Sequence, residues 1–180
     1  MKTIILVAVP DEAPGLRHMM NVFYTGVGKV NAALTAAQVI ERYQPDRVIN
    51  VGTAGGITVG TGLHECTRFV QRDILCHGLG CSPGQTPFED DIILTTGTTG
   101  LVCSTGDDFV MTPELDIPAD LVDMEAYAIA KACLRNRVEF RCFKYITDRA
   151  DHSAHTVWQD AVSQGEPFFI AKLQELGVTI

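Results

Sequence analysis

Four short polar groups in this 180-residue chain carry side chains able to move protons or hold hydroxyls: Asp11-Glu12, Thr53-Ala54-Gly55-Gly56, Asp123-Met124-Glu125 and Thr147-Asp148. A carboxylic acid can protonate a leaving group, and a carboxylate can take a proton from water or accept hydrogen bonds from paired hydroxyls. Each group also has a plain structural reading. A carboxylate at a helix start, as at Asp123 or Glu125, complements the helix dipole. A glycine-rich turn after a strand is often only a turn, and an aspartate there is a common cap. The chemistry therefore depends on whether the intervening elements bring the four groups together.

The order of elements is alternating strand and helix. Ile4 to Val9 is an apolar run without helical period and reads as a buried strand, followed by an expected helix from Ala13 to Met20 and a short strand from Val22 to Thr25. Val30 to Tyr43 is the clearest helix, with Val30, Ala33, Leu34, Ala37 and Ile40 as its expected apolar face, and Pro45 closes it. Val48 to Val51 is a buried strand running into a glycine-rich turn, and Glu65 to Arg72 a weaker strand. Residues His77 to Asp91 hold three glycines and two prolines and read as a loop. Leu101 to Ser104 and Glu139 to Ile146 are strands around a helix at Met124 to Arg135, whose Ala126, Ile129, Ala130 and Cys133 share one side. Helices are expected at Thr156 to Ser163, with a capping-box pattern, and at Pro167 to Leu176. Strands interleaved with helices predict an α/β fold with a mostly parallel sheet between helical layers. In such sheets ligands bind at the carboxyl ends of the strands, where the four polar groups fall.

Composition narrows the function. The length fits one domain over residues 1–180, with enough apolar residues (46%) for a core without disulfides. Acidic residues number 22 against 14 basic ones, and no Lys/Arg cluster exists, so nucleic-acid binding is not expected. The apolar run near the start is too short to span a membrane and lacks a cleavage pattern, so neither membrane insertion nor export is expected. The six cysteines form no C-x-x-C pair and several lie in apolar runs, which reads as reduced, buried thiols in a cytoplasmic protein.

Several familiar motifs fail. Gly26-Val27-Gly28-Lys29-Val30 is not a phosphate loop, because Val30 stands where Ser or Thr is needed and Phe23 where the first glycine is needed. No G-x-G-x-x-G or G-x-S-x-G occurs. His152-x-x-His155 lacks a third ligand at useful spacing, so no metal is expected.

A longer set of segments carries a resemblance. It begins with the Met1-Lys2 strand and Asp11-Glu12, then runs through Gly26-Val27-Gly28-Lys29-Val30-Asn31-Ala32-Ala33 and Pro45-Asp46-Arg47-Val48-Ile49-Asn50-Val51-Gly52-Thr53-Ala54-Gly55-Gly56. It resumes at Ser104-Thr105-Gly106-Asp107-Asp108-Phe109, Val122-Asp123-Met124-Glu125-Ala126 and Ile146-Thr147-Asp148-Arg149-Ala150-Asp151. In order and spacing the chain resembles the nucleoside phosphorylase/nucleosidase superfamily, nearest its methylthioadenosine/S-adenosylhomocysteine nucleosidase branch. The resemblance implies a three-layer α/β/α phosphorylase-like fold and an N-ribosyl hydrolase acting without a cofactor on a purine nucleoside or 5′-thio nucleoside. It implies that Asp148 serves purine N7 and that Glu12 holds and deprotonates the water. Glu125 would grip the ribose hydroxyls, with Met124 against the sugar and Asp123 beside them. Thr53 would lie near the nucleophile, and Ala54 and Gly55 along the base. Phe109 would stack on the purine, the Val110 backbone would read its edge, and Trp158 would wall the ribose and 5′ group. A homodimer or higher homo-oligomer is implied as well, with His77 to Phe88 offering apolar residues for the contact.

The residue types suit that chemistry. Breaking a ribosyl C–N bond leaves a sugar with oxocarbenium character and a base in need of a proton, so acids at both ends are of use. Asp148 must be able to hold a proton, and Arg149 is expected to point away from it. A phosphorylase would instead need arginines for phosphate. The position before the Val-Gly turn, where hexameric purine phosphorylases resembling this chain carry Arg, is Asn50, which leaves Arg17, Arg47 and Arg72 as candidates. Water is the expected nucleophile, with a phosphorylase and a non-catalytic nucleoside-binding module as the alternatives. The chain departs from the branch in a short stretch before Gly26, in the absence of an expected helix between Asp91 and Leu101, and in Asp123 where the branch has Glu.

Overall fold

The computed structural model of the chain describes residues 1–112, 114–150, 158 and 161–180. Strand β1 (Thr3–Val7) is followed by β2 (Val22–Tyr24), helix α1 (Lys29–Tyr43), β3 (Arg47–Gly56), β4 (Gly62–Gln71), β5 (Leu94–Thr95), β6 (Leu101–Thr105), β7 (Leu121–Asp123), α2 (Ala126–Arg135), β8 (Glu139–Asp148) and α3 (Glu166–Glu175). The sheet is mixed and mostly parallel. β1 pairs in parallel with β2 and β3, β3 with β8, and β6 with β4 and β7. The antiparallel pairs are β3 with β7, β4 with β5 and β4 with β8. Because β8 joins β3 to β4 while β7 joins β6 back to β3, five strands close into a ring. That closure brings the carboxyl ends of β3, β7 and β8 side by side.

Two apolar clusters cover the sheet. One holds α1 and α2, with Ala32, Ala36 and Val39 packed among Ala126, Ile129 and Ala130. The other holds α3, whose Phe169 and Leu173 are fully buried with Phe143 and Ile49. Burying each of those two α3 side chains contributes roughly 1.5–3 kcal/mol. The layered α/β/α arrangement expected from the resemblance is thus present.

Local departures from the expected elements have identifiable causes. The buried face of α1 is Ala32, Ala36, Val39 and Ile40, while Val30 (69% exposed) and Leu34 (57%) look outward. Small alanines allow α1 to approach α2 closely, and that contact outweighed the larger side chains that the periodicity favoured. Over residues 13–20 the expected helix is replaced by one single-turn 3-10 segment, Pro14–Leu16, with another, Pro10–Glu12, just before it. Gly52 to Gly56 is not a turn but the second half of β3, because β8 and then β7 supply ladder partners to its end. The short strands β5 and β7 were not anticipated. No helix forms between Asp91 and Leu101, as expected, and the loop from His77 carries one 3-10 turn. The expected helix at 156–163 and the pair His152/His155 lie largely or wholly outside the described residues. None of the six cysteines is paired. Cys66, Cys103, Cys133 and Cys142 are buried, whereas Cys76 and Cys81 are only partly so. No helix among the described residues is long and apolar enough to cross a membrane.

Candidate active site

A cavity of about 250 Å³ opens at the carboxyl ends of β1, β3, β7 and β8. Its walls include Glu12, Thr53, Ala54, Gly55, Phe109, Val110, Asp123, Met124, Glu125, Asp148 and Trp158, every site residue expected from sequence.

Glu12 is 4% exposed and ends the 3-10 turn that follows β1. One carboxylate oxygen, Oε1, accepts from the Thr53 amide and the Thr53 hydroxyl, each at 2.7 Å. The other, Oε2, accepts from the amides of Ala8 and Val9 at 3.2 and 3.3 Å. Gly52 makes room for this arrangement, since a Cβ there would lie 3.1 Å from Glu12 Oε1 and 3.4 Å from Lys144 Nζ. Thr53 Oγ1 also accepts from the indole N–H of Trp158 at 2.9 Å.

Glu125 is the residue from which α2 starts, and its Oε1 accepts from the Gly28 amide at 2.9 Å. Gly28 has a φ of 94°, a left-handed conformation that glycine adopts without penalty and that aims its N–H at the carboxylate. Burial, then the charge of Asp123, push the Glu125 carboxyl up to about 7, against the opposing influence of Lys144 and the Gly28 amide. The group is poised to change protonation near neutrality.

Asp148 is the last residue of β8. Its Oδ1 accepts from the Ala150 amide at 2.9 Å and its Oδ2 from the Thr147 hydroxyl at 2.8 Å. A bulge between Ala54 and Gly55 sets Gly55 opposite Asp148. A Cβ on Gly55 would lie 3.0 Å from Asp148 Oδ1 and 3.1 Å from Val122 Cγ2, so this glycine lets the carboxyl fold against the strand. Arg149 is exposed, as expected.

Asp123 differs from its expected place among the substrate contacts. Although it borders the cavity, its carboxylate faces inward. It accepts from the Thr105 hydroxyl at 2.5 Å and from the Ala126 amide at 2.8 Å, and it pairs with Lys144 Nζ at 2.8 Å. Burial opposes its ionisation, but the Lys144 charge and these hydrogen bonds outweigh that, and its carboxyl is held below the usual range. The acid needs a counter-ion in the core, and Lys144 in β8 supplies it.

Lys144 is a buried charge behind the cavity wall that the sequence reading did not single out, and Arg72, considered there only as a phosphate ligand, has a different set of partners. The available signal for Lys144 was a single lysine inside an apolar strand, between Phe143 and Tyr145. Arg72 donates to the carbonyls of Ser104 (2.7 Å), Asp123 (3.0 Å) and Asp108 (2.6 Å) and pairs with the Asp108 carboxylate, so it braces the loop that presents Phe109 and Val110. Of the other candidate phosphate ligands, Arg47 is buried at the far end of β3 against Thr3 and the Leu176 carbonyl, and Arg17 pairs with Asp11. Asn50 donates to the Leu6 carbonyl and lies outside the cavity wall.

Comparison with known proteins agrees with this geometry. The sequence profile of the Phosphorylase superfamily matches residues 15–67 and 93–176. The chain is 30% identical over 165 residues to the 5′-methylthioadenosine/S-adenosylhomocysteine nucleosidase of Anoxybacillus flavithermus, covering 75% of this chain and 70% of that protein. It is 31% identical over 183 residues to the enzyme of the same name from Actinobacillus succinogenes, covering 84% and 79%. In three dimensions it superposes on futalosine hydrolase of Helicobacter pylori with a TM-score of 0.87 at 20% identity, over 97% of this chain and 98% of that one. A mutant nucleosidase of the same organism, holding 5′-methylthioadenosine in its active site, gives a TM-score of 0.86 at 20% identity with the same coverage. The profile match over most of the chain and the two sequence relatives agree with the ring-closed sheet and its acid-lined cavity: the chain belongs to the phosphorylase superfamily.

Proposed function

We propose that the protein is a purine nucleosidase that hydrolyses the N-ribosyl bond of a purine nucleoside or 5′-thio nucleoside to free base and sugar. The observation that carries this reading is the meeting of Glu12, Glu125 and Asp148 around one cavity. The three lie on separate segments, at the turn after β1, the start of α2 and the end of β8.

In the reaction, the bond from the sugar's anomeric carbon to the base nitrogen breaks and the base leaves with the electron pair. Asp148 supplies the proton that neutralises the base. Water attacks the anomeric carbon, forming the new C–O bond, and Glu12 takes its proton. Acid and base steps of this kind each contribute about 10²–10⁴-fold. Glu125, when ionised, accepts hydrogen bonds from both ribose hydroxyls and fixes the sugar with Met124 beneath it. The carboxylates also stabilise the cationic sugar as charge develops. Phe109 offers its ring to the purine, on a loop that Arg72 holds rigid. Asp123 acts on the reaction only through Lys144 and the start of α2.

Water is favoured over phosphate because the basic groups described beside the cavity already have partners: Arg72 with carbonyls and Asp108, and Lys144 with Asp123. The related enzymes named as methylthioadenosine/S-adenosylhomocysteine nucleosidases support a thio-nucleoside substrate. The same reading includes a homo-oligomer, supported by exposed Val27 at the cavity, Val30 and Leu34 on α1, and Leu79 and Phe88 on the long loop, and a cytoplasmic setting, supported by the unpaired cysteines.

The test is mass spectrometry of a nucleoside panel incubated with the protein, with and without phosphate. Free adenine or hypoxanthine in both conditions is expected. Release only with phosphate would make the protein a phosphorylase, and binding without release would make it a nucleoside-binding module.

A further inference from the structure

We propose that Trp158 is a positioning residue for Glu12, acting through its indole N–H and the Thr53 hydroxyl rather than only as a wall of the cavity. This rests on the reading of Glu12 as the group that takes the water proton. The chain of contacts is short and one-way. Trp158 Nε1 donates to Thr53 Oγ1 at 2.9 Å, and Thr53 Oγ1 donates to Glu12 Oε1 at 2.7 Å.

A threonine hydroxyl has one proton and can turn it toward any nearby acceptor, whereas an indole nitrogen can only donate. With the indole N–H on its lone pair, the Thr53 proton has one productive direction, which is toward Glu12. Hydrogen bonds in such a chain strengthen one another in a poorly solvated site. Both Thr53 and Glu12 are buried, at 9% and 4% exposure. Oε1 then receives two donors from the same residue at 2.7 Å, while Oε2 is held only by the longer contacts from Ala8 and Val9. The relay therefore fixes Oε1 as the anchored oxygen and leaves Oε2 as the one that takes the proton from water. A phenylalanine at 158 would preserve the aromatic wall and lose the relay.

Trp158 is the one tryptophan of the chain, so its indole gives a single, unambiguous N–H resonance in a ¹⁵N-labelled sample. The experiment combines that resonance with steady-state kinetics on the nucleoside found in the panel, for wild type, Trp158→Phe, Thr53→Val and the double variant. Trp158→Phe is expected to lower kcat about fivefold, the scale of one neutral hydrogen bond, while KM changes by less than about twofold. In the Thr53→Val background the same substitution should cause no further loss of kcat. Glu12→Gln should move the indole resonance in the wild-type background and leave it in place when Thr53 is Val. A change confined to KM, equal losses in both backgrounds, or an indole resonance blind to Glu12→Gln would each overturn the relay. If the wild type cleaves no nucleoside, the nucleosidase reading fails instead, and the resonance still decides whether the contact chain exists.

Discussion

The ammonium of Lys144 stands 2.8 Å from the carboxylate of Asp123, and both side chains are almost wholly shielded from solvent, at 2% and 1% exposure. This ion pair lies behind the cavity wall, with Glu12 and Lys144 both close to Gly52 and with Asp123 bonded to the start of α2. Removing one partner leaves the other charge buried and alone, which costs about 3–5 kcal/mol. Lys144→Met should therefore lower unfolding stability by that amount in urea titrations. The Asp123 carboxyl is held below its usual range, so its contribution is present above the ordinary carboxylate value and is lost as pH falls through the lower folded-state value. The wild type should lose stability in strong acid more steeply than Asp123→Asn.

Glu125 titrates in the opposite sense. Its folded-state value of about 7 exceeds the ordinary 4.5, so the folded protein holds this proton more tightly than the unfolded chain. Stability should fall as pH rises from 4.5 to about 7, by roughly 3 kcal/mol, and level off above. Glu125→Gln, which can still accept from the Gly28 amide, should remove that decline in denaturation curves taken between pH 4 and 8. In kinetics, KM for the nucleoside should rise in the wild type as pH drops below about 7, because a protonated Glu125 cannot accept from both ribose hydroxyls. A flat KM profile in the wild type would remove Glu125 from the ribose.

Gly52→Ala tests the packing beneath Glu12. The new methyl would stand 3.1 Å from Glu12 Oε1, closer than a Cβ contact ordinarily allows, and backbone amides hold the carboxylate from the other side. A shift of a few tenths of an ångström in the base should reduce kcat about tenfold, on the scale by which misplacement slows chemistry. Nucleoside affinity by calorimetry should stay nearly constant, since the role proposed for Glu12 is toward the attacking water rather than the base or the ribose hydroxyls.

Asp148→Asn keeps an oxygen for the Ala150 amide and removes the acid proposed to protonate the base. Turnover should drop about 10²–10⁴-fold with KM within a few-fold of wild type. Full turnover in this variant would show that another group protonates the base.

Much of the fold was legible along the chain because its signals are local. The apolar side of α2, with Ala126, Ile129, Ala130 and Cys133 all fully buried, follows from helical spacing alone. The strands at Thr3–Val7, Leu101–Thr105 and Glu139–Asp148 follow from short apolar runs. The face of α1 did not, because Ala32 and Ala36 are buried by the close approach of α2, a contact that no spacing rule encodes.

The sequence by itself determined which acids are present and that each stands just after a strand or at the start of a helix, since those positions follow from local pattern and chain order. The tertiary structure decided what each acid touches. Asp123 turns inward because Lys144 arrives from β8, Glu12 meets Thr53 from 41 residues away, and Trp158 reaches Thr53 across 105. Those contacts depend on the closure of β3, β8, β4, β6 and β7 into a ring, and strand pairing at such separations is fixed by packing and backbone hydrogen bonding over the whole sheet.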